Sequence, residues 1–284
     1  MPELPEVEVL ARHLRPLIEG EAIRSVEALR AKSLRGTTRR NLEQALTGAR
    51  FMGLRRRGKY LLFELKPEGA RETFELLGHL GMTGRMYLQP KGADLPKHTV
   101  LRLGLGRHDF VFVDTRYFGR MTLDTSAIDR LGPEPLGEGF STDYFAARLK
   151  RSAQAIKVKL LDQALVAGIG NIYACEALHR SGISPRRSSR RLTRAQAGRL
   201  RVNIREILAA AIELGSTIRL DFAGAGVQDG LFYYGGSEAA PGTVFERFAA
   251  YDREGEPCPT CGTAIKRIVQ AARSTFYCPK CQLG

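Results

Sequence analysis

The feature that most limits how this chain can fold is a group of four cysteines near its C-terminus. Cys258 and Cys261 form one C-x2-C pair, and Cys278 and Cys281 form a second pair after sixteen intervening residues. Thiolate pairs at this spacing are typical of a four-cysteine zinc ribbon. Two structural disulfides are the alternative, but the chain opens with acids and prolines rather than with an export signal, and the cytosol keeps thiols reduced. We therefore predict one structural zinc ion per chain, held by these four cysteines.

The charge of the chain favours a polyanionic partner. Lys and Arg number 44 against 30 Asp and Glu, which gives a net charge of +14 at pH 7. Such an excess is typical of proteins that bind nucleic acid or an anionic membrane surface, and charge alone does not separate the two. No apolar run approaches the roughly 20 residues that span a bilayer, so we expect no membrane-spanning role and a cytoplasmic location.

The apolar pattern predicts an α+β fold. Helical spacing at residues 6–19 gives way to short β-rich runs between residues 22 and 125, which indicate a β-sandwich or barrel. Helical spacing returns at residues 143–150, 156–165, 172–180 and 193–214. We predict an N-terminal β-sandwich domain with a flanking helix (1–132), a linker (133–142), a helical domain (143–243) and the zinc ribbon (244–284). A stretch rich in Gly and aromatic residues at 224–242 has no periodicity, and we expect it to be a mobile binding loop.

Six further motifs follow in order behind the opening Met1-Pro2-Glu3-Leu4-Pro5-Glu6. They are Arg57-Gly58-Lys59-Tyr60-Leu61, His79-Leu80-Gly81-Met82-Thr83, Asp114-Thr115-Arg116-Tyr117-Phe118-Gly119, Leu131-Gly132-Pro133-Glu134-Pro135-Leu136, Gly168-Ile169-Gly170-Asn171-Ile172-Tyr173 and Arg273-Ser274-Thr275-Phe276-Tyr277-Cys278. Together they resemble the formamidopyrimidine-DNA glycosylase family along the whole chain. The resemblance implies a β-sandwich, a helix-two-turn-helix domain and a zinc ribbon. It also implies an enzyme that removes oxidised purines, such as 8-oxoguanine and formamidopyrimidines, from duplex DNA. Strand cleavage would follow by β,δ-elimination.

The N-terminal proline is the expected nucleophile. Once Met1 is removed, Pro2 presents a secondary amine that can attack a sugar carbon and form an iminium. An ordinary α-amine has a pKa of about 7.7 to 8.0 against about 10.4 for Lys, so far more of it is neutral at pH 7. An isolated Met-Pro opening would more often just start a helix. The resemblance implies that Glu3 is the acid that protonates the sugar ring oxygen, assisted by Glu6. For Glu8 we expect only a favourable interaction with the helix dipole.

Other residues are expected to contact DNA or to assist elimination. Lys59, which we place in a basic strand, matches the family lysine that contacts a phosphate and transfers protons. Arg273 matches the arginine of the ribbon that acts in δ-elimination. Three residues match side chains that fill the space left by the flipped nucleotide: Met82, Arg116 and Phe118. Four further DNA contacts are expected at His98, Asn171, Lys157 and Arg151.

One departure from the family pattern and two competing functions stay open. Tyr117 stands where the family commonly has a second Arg, so a phosphate contact is lost or is replaced by stacking. A DNA-binding protein without catalysis is disfavoured because Pro2, Glu3, Lys59 and Arg273 are all present. An enzyme for oxidised pyrimidines is disfavoured because residue 4 is Leu rather than the Gly usual in that branch. The sequence does not fix which lesion is preferred. Cys175 is predicted to be a small buried hydrophobic residue. We expect a bacterial, nucleoid-associated monomer that binds lesion-containing double-stranded DNA.

Overall fold

The computed structural model of the chain describes residues 2–216 and 248–283. These fall into two compact units, one containing residues 2–129 and the other containing residues 130–214 and 248–283. The binding loop expected at 224–242 lies outside the described residues. Among the helices that are described, none is both long enough and apolar enough to cross a membrane.

The first unit is built on two four-stranded antiparallel sheets. In chain order its strands are β1 (Ser25–Ala28), β2 (Arg50–Arg57), β3 (Tyr60–Lys66), β4 (Phe74–His79), β5 (Gly84–Pro90), β6 (Thr99–Gly104), β7 (His108–Asp114) and β8 (Arg120–Thr122). One sheet has the order β1-β6-β7-β5 and the other has the order β2-β3-β4-β8. The β-rich pattern is therefore a sandwich rather than a closed barrel.

The inner faces of the two sheets share one apolar core. Phe63 of β3 meets Phe110 of β7 edge to face, with ring centroids 5.7 Å apart, and both rings are fully buried. Gly78 of β4 faces Met86 of β5 so closely that a Cβ there would lie 3.1 Å from the methionine methyl carbon. Edge-to-face rings and close-packed aliphatic side chains are typical of a sandwich core.

Two helices flank this sandwich, and the apolar spacing predicted only the first of them. Helix α1 (Leu4–Ile18) buries Val7, Leu10, Leu14 and Ile18 along one face and packs on β2, as the spacing predicts. Helix α2 (Arg39–Leu46) was missed because its apolar face consists of only Leu42 and Leu46. The Thr38 side chain caps this helix by accepting a hydrogen bond of 3.1 Å from the N–H of Asn41.

The second unit contains four helices and the ribbon. The helices are α3 (Thr142–Lys150), α4 (Ile156–Leu160), α5 (Asn171–Arg180) and α6 (Arg194–Ser216), and the ribbon hairpin pairs β9 (Lys266–Gln270) with β10 (Arg273–Tyr277). Helix α4 ends five residues before the predicted Leu165. Asp162 ends this segment because its carboxylate accepts a hydrogen bond of 2.9 Å from the N–H of Ala164, which closes a turn instead of a further helical turn.

The segment expected to be a linker is packed onto these helices. The guanidinium of Arg205 donates hydrogen bonds to the carbonyl oxygens of Pro135 (2.8 Å) and Gly137 (3.0 Å), and the Phe140 ring is fully buried. The two prolines of the segment interrupt regular secondary structure, but the segment is still held by contacts within the second unit. The α+β prediction of a sandwich with a flanking helix, a helical region and a four-cysteine ribbon is confirmed.

Candidate active site and metal centre

The N-terminal residues are buried at the start of α1. Glu3 is the N-cap of this helix, with extended backbone angles (φ −102°, ψ −171°), and it is 2% exposed. Glu6 completes a capping box, since its carboxylate accepts a hydrogen bond of 2.9 Å from the backbone N–H of Glu3. The capping box fixes the angle at which the chain enters the helix, and it therefore also fixes the position of Pro2, which is itself buried. A carboxylate at this helix end is favoured by the helix dipole.

Lys59 lies in a hairpin turn, which corrects its expected place within a strand. Strand β2 ends at Arg57, and β3 begins at Tyr60, so Gly58 and Lys59 form the turn between them. Gly58 has φ +58°, a left-handed conformation that glycine adopts without steric cost. Lys59 is 7% exposed.

An ion pair connects this turn to α1. The guanidinium of Arg56 donates a hydrogen bond of 2.7 Å to the carboxylate of Glu8 and another of 3.1 Å to the carbonyl oxygen of Gly58. Glu8 also pairs with Arg12 one helical turn away, at 2.9 Å. Burial raises the pKa of Glu8, but the hydrogen bonds and charges of Arg56 and Arg12 outweigh that effect and lower it overall. Glu8 therefore does more than complement the helix dipole, because it holds the lysine turn against the helix that follows Pro2.

Two loops of the first unit carry the expected space-filling side chains, and we call them the wedge loops (residues 80–83 and 115–119). Met82 and Phe118 are 40% and 46% exposed. The guanidinium of Arg116, which is also exposed, stacks over the Phe118 ring at 4.9 Å from its centroid. Apolar side chains this exposed contribute little to the core and are available to a partner.

Asp114 joins the two wedge loops. Its fully buried carboxylate accepts hydrogen bonds from the Thr83 hydroxyl (2.6 Å), the Gly119 N–H (2.6 Å) and the Arg116 N–H (3.2 Å). Gly81 lies so close to the other loop that a Cβ there would be 2.5 Å from the nitrogen of Gly119. The two loops therefore form a single rigid edge.

His79 is a polar residue of this region to which the sequence analysis gave no role. Its Nδ1 accepts a hydrogen bond of 3.0 Å from the N–H of Gly81, and its ring contacts the Tyr60 ring with centroids 4.8 Å apart and planes tilted by 46°. Burial, with the positive charges of Arg120 and Lys59, lowers the pKa of His79 to about 4. The ring is therefore neutral at pH 7, and its Nε2 carries the proton. His79 is the first residue of the motif that contains Met82, but its spacing alone indicates no function.

The expected DNA contacts in the second unit differ in exposure. Arg151 and Arg273 are exposed, and Asn171 is half-buried at the first position of α5. The side-chain amide of Asn171 donates a hydrogen bond of 2.8 Å to the carbonyl oxygen of Ser274 in the ribbon. Lys157 is fully buried in this structure, so the DNA contact expected for it would require its amine to become accessible.

The four ribbon cysteines have the geometry of a zinc site. Their sulfur atoms all lie within 4.8 Å of one another, with Cys258–Cys281 at 3.9 Å and Cys261–Cys278 at 3.5 Å. Tetrahedral zinc with Zn–S bonds of about 2.3 Å places its sulfurs about 3.8 Å apart, whereas a disulfide bond is about 2.05 Å long. The residues therefore fit one structural zinc ion, and the disulfide alternative is excluded.

Helix α5 holds the zinc ribbon through side chains that the sequence analysis did not single out. The carboxylate of Glu176 accepts three backbone hydrogen bonds, from Ala249 (2.8 Å), Ala250 (2.9 Å) and Tyr251 (2.7 Å). His179, one turn further on, lies with its Nε2 3.3 Å from the sulfur of Cys258. The helices and the ribbon therefore belong to one compact unit of the structure.

Family models match three parts of the chain. The formamidopyrimidine-DNA glycosylase N-terminal domain matches residues 1–121, the H2TH domain of the same family matches residues 131–222, and a zinc finger found in FPG and IleRS matches residues 255–283. The chain is 42% identical to the formamidopyrimidine-DNA glycosylase of Thermus thermophilus over 289 residues, covering 99% of this chain and 98% of the relative. It is 41% identical to the Caulobacter vibrioides protein of the same name, with both chains covered completely.

Solved structures agree with these matches. Lactococcus lactis Fpg in complex with DNA containing an abasic site superposes with a TM-score of 0.84 at 34% identity, covering 99% of this chain and 100% of the other. MutM in complex with DNA containing carbocyclic 8-oxo-G gives a TM-score of 0.84 at 34% identity, with both chains covered completely. The chain belongs to the formamidopyrimidine-DNA glycosylase family.

Proposed function

We propose that this chain excises oxidised purines from duplex DNA and then cleaves the strand at the abasic site. The observation that carries the proposal is a buried Pro2 directly before a helix that is capped by Glu3 and bound to the Lys59 turn through Glu8 and Arg56. The relatives named above support the substrate class, because solved members hold DNA with an abasic site or with an 8-oxoguanine analogue.

Base removal begins with the amine of Pro2. After loss of Met1, its lone pair attacks C1′ of the damaged nucleotide, and the glycosidic bond breaks with its electron pair leaving on the base, which takes up a proton. Glu3 protonates the ring oxygen, the C1′–O4′ bond opens, and an iminium joins Pro2 to the sugar. The amine gives up its one N–H proton, which the departing base takes up, and the iminium of a secondary amine stays cationic because it has no N–H left to lose.

Strand cleavage follows from the iminium. Loss of a proton from C2′, which we assign to Lys59, expels the 3′ phosphate by β-elimination. A second elimination removes the proton from C4′ and expels the 5′ phosphate, and we assign to the permanently charged guanidinium of Arg273 the binding of this departing phosphate. Hydrolysis of the iminium frees Pro2 and leaves a one-nucleotide gap with a phosphate at each end.

The wedge loops assist this chemistry by filling the space that the flipped nucleotide leaves in the duplex. The attacked sugar carbon is out of reach inside a stacked helix, and turning a nucleotide out costs a few kcal/mol. Met82 and Phe118 are exposed apolar wedges that offset part of this cost, and Arg116 can donate to the orphaned base. The bonds of Asp114 hold all three side chains on one edge.

In this proposal, the second unit supplies the remaining contacts with DNA. The N-terminus of α5 and the side chain of Asn171 face phosphates, assisted by Arg151, and the buried Lys157 supports the helix packing from inside. We propose that residues 143–243 and the ribbon at 244–284 act together, while residues 1–132 carry the chemistry. Zinc folds the ribbon hairpin that presents Arg273.

The two relatives named above are bacterial, and we propose that this chain associates with the bacterial nucleoid and acts as a monomer. Light scattering of the chain with a lesion-bearing duplex should give the mass of one chain per duplex. A mass of two chains on a single lesion would refute the monomer.

The test compares lesions and variants side by side. The full chain should cleave duplexes that contain 8-oxoguanine opposite cytosine much faster than duplexes that contain an oxidised pyrimidine. Glu3→Gln should block base removal more than cleavage of a ready-made abasic site, because that site has no base left to expel. Glu19→Gln, which removes an exposed carboxylate at the other end of α1, is the matched control and should leave both rates unchanged. Faster cleavage of the oxidised pyrimidine, or equal effects of the two variants, would refute the proposal.

A further inference from the structure

Two non-glycine residues of the first unit have left-handed backbones and contact each other through their side chains. His98 has φ +70° and Tyr117 has φ +53°. Nδ1 of His98 and the phenol oxygen of Tyr117 are 2.8 Å apart, and the two rings meet edge to face with centroids 5.7 Å apart. Left-handed non-glycine residues are strained, and such residues cluster at functional sites.

The backbone of this pair is fixed by Asp114. The carbonyl oxygen of His98 accepts a hydrogen bond of 3.1 Å from the N–H of Asp114, and the N–H of Tyr117 donates one of 3.3 Å to the carbonyl oxygen of Asp114. Both side chains are half-buried, and Tyr117 packs against the sandwich core. The tyrosine is therefore the anchor of the pair, and the half-buried histidine keeps surface that a partner can reach.

A cation completes the cluster. The guanidinium of Arg30 lies over the Tyr117 ring, 5.2 Å from its centroid, and Arg30 is exposed. A cation over an aromatic face is attracted by the ring quadrupole. Tyr117 thus contacts one exposed cation and one half-buried imidazole, and in the sequence it stands between the wedge residues Arg116 and Phe118.

Phosphate binding by His98 would require one of its two neutral tautomers. Phosphate oxygens in DNA only accept hydrogen bonds, so a ring nitrogen that binds one must carry a proton. A neutral imidazole has a single N–H, and the phenol of Tyr117 can donate to Nδ1, which leaves the proton on Nε2. An arginine in place of Tyr117 would repel a second cation and would offer no ring to Arg30.

We propose that Tyr117 is a positioning residue for DNA binding, which holds His98 in its Nε2–H tautomer and Arg30 beside it as a phosphate-binding cluster next to the wedge. The proposal rests on the proposed function. Through His98 and Arg30, Tyr117 would provide the phosphate contact that a second Arg commonly provides in the family. No second guanidinium is then needed in the wedge loop.

The test measures binding to a duplex with a tetrahydrofuran abasic site, which cannot be cleaved. Tyr117→Phe keeps the ring and removes only the hydroxyl, and we expect binding about three- to tenfold weaker, as for loss of one hydrogen bond. His98→Gln should weaken binding to a similar extent, and the double variant should be no weaker than either single one. Arg30→Gln should also lower the salt dependence by about one unit of log–log slope, whereas Tyr117→Phe should leave that slope unchanged.

Tyr144→Phe is the matched control, because it removes a phenol hydroxyl that bonds the Leu165 carbonyl oxygen in the second unit. It should bind as the wild type does. Nitrogen-15 NMR of the wild type should place the His98 proton on Nε2, and Tyr117→Phe should shift the tautomer balance. A wild-type proton on Nδ1, additive effects in the double variant, or unchanged binding by Tyr117→Phe would overturn the proposal. Excision of 8-oxoguanine by the wild type, measured in parallel, separates failure of this proposal from failure of the proposed function.

Discussion

Replacing Arg56 with Gln tests how the chain holds its lysine turn against the N-terminal helix. The Arg56 side chain is 9% exposed and bonds both Glu8 and the carbonyl oxygen of Gly58. A hydrogen bond to a charged group contributes about 1.5–3 kcal/mol. Glu8 is 21% exposed and keeps Arg12 as a partner, so the larger cost of an uncompensated buried charge does not arise. We expect the free energy of unfolding to fall by about 1.5–3 kcal/mol.

The neighbouring Arg55 provides a matched control. It pairs with Glu75 at 2.7 Å, but the two side chains are 53% and 29% exposed and neither belongs to α1. Exposed pairs of this kind contribute about 0.2–1 kcal/mol, so Arg55→Gln should cost much less. Because the chain has no Trp, unfolding in urea is best followed by circular dichroism.

Two further readouts follow from the same ion pair. The pKa of Glu8 is lowered from 4.5 in the folded chain, so its stabilisation is present above that pH and is lost as the pH falls further. The stability gap between wild type and Arg56→Gln should therefore close in acid. If the pair also places Lys59, strand cleavage should slow by about ten- to 100-fold. Equal losses in Arg55→Gln and Arg56→Gln would refute this reasoning.

Three other predictions concern zinc, charge and the wedge loops. Elemental analysis should find one zinc per chain, and Cys258→Ser should lose both the metal and DNA affinity; unchanged affinity would contradict a structural role. DNA affinity should fall with salt at a log–log slope of about −4 or steeper, as release of several counterions requires, and a flat plot would contradict phosphate binding. Gly81→Ala should lower stability by about 1–3 kcal/mol more than Gly92→Ala, and it should slow excision. Both glycines have positive φ, but only a Cβ at Gly81 meets the other loop, at Gly119; equal effects would show that the loops are not in tight contact.

Local patterns predicted much of the fold. The spacing of four cysteines specified the metal site before any contact was known, because the zinc ligands are set by two short turns. The apolar stripe of α1 was equally clear, since it runs over four turns. Helix α2 was missed because two leucines over eight residues make a weak stripe within a stretch of strands.

Other features depend on contacts between distant residues, which no local pattern contains. Glu8 and Arg56 are 48 residues apart, so the sequence could indicate only a charge near a helix dipole. Lys157 was expected to contact DNA, although it is fully buried in this structure. The contact of Tyr117 with His98 joins two loops of the sandwich, and the sequence could show only that an arginine usual in the family is absent.

The most direct test of the proposed chemistry is the identity of the residue that bonds to DNA. Borohydride added during reaction with an 8-oxoguanine duplex should reduce the iminium to a stable adduct. After nuclease and trypsin digestion, mass spectrometry should find the added mass on the peptide from Pro2 to Arg12, at its N-terminal nitrogen, with Met1 absent. An adduct on Lys59, seen as a missed tryptic cleavage after that residue, or full activity of a chain that keeps Met1, would contradict the account.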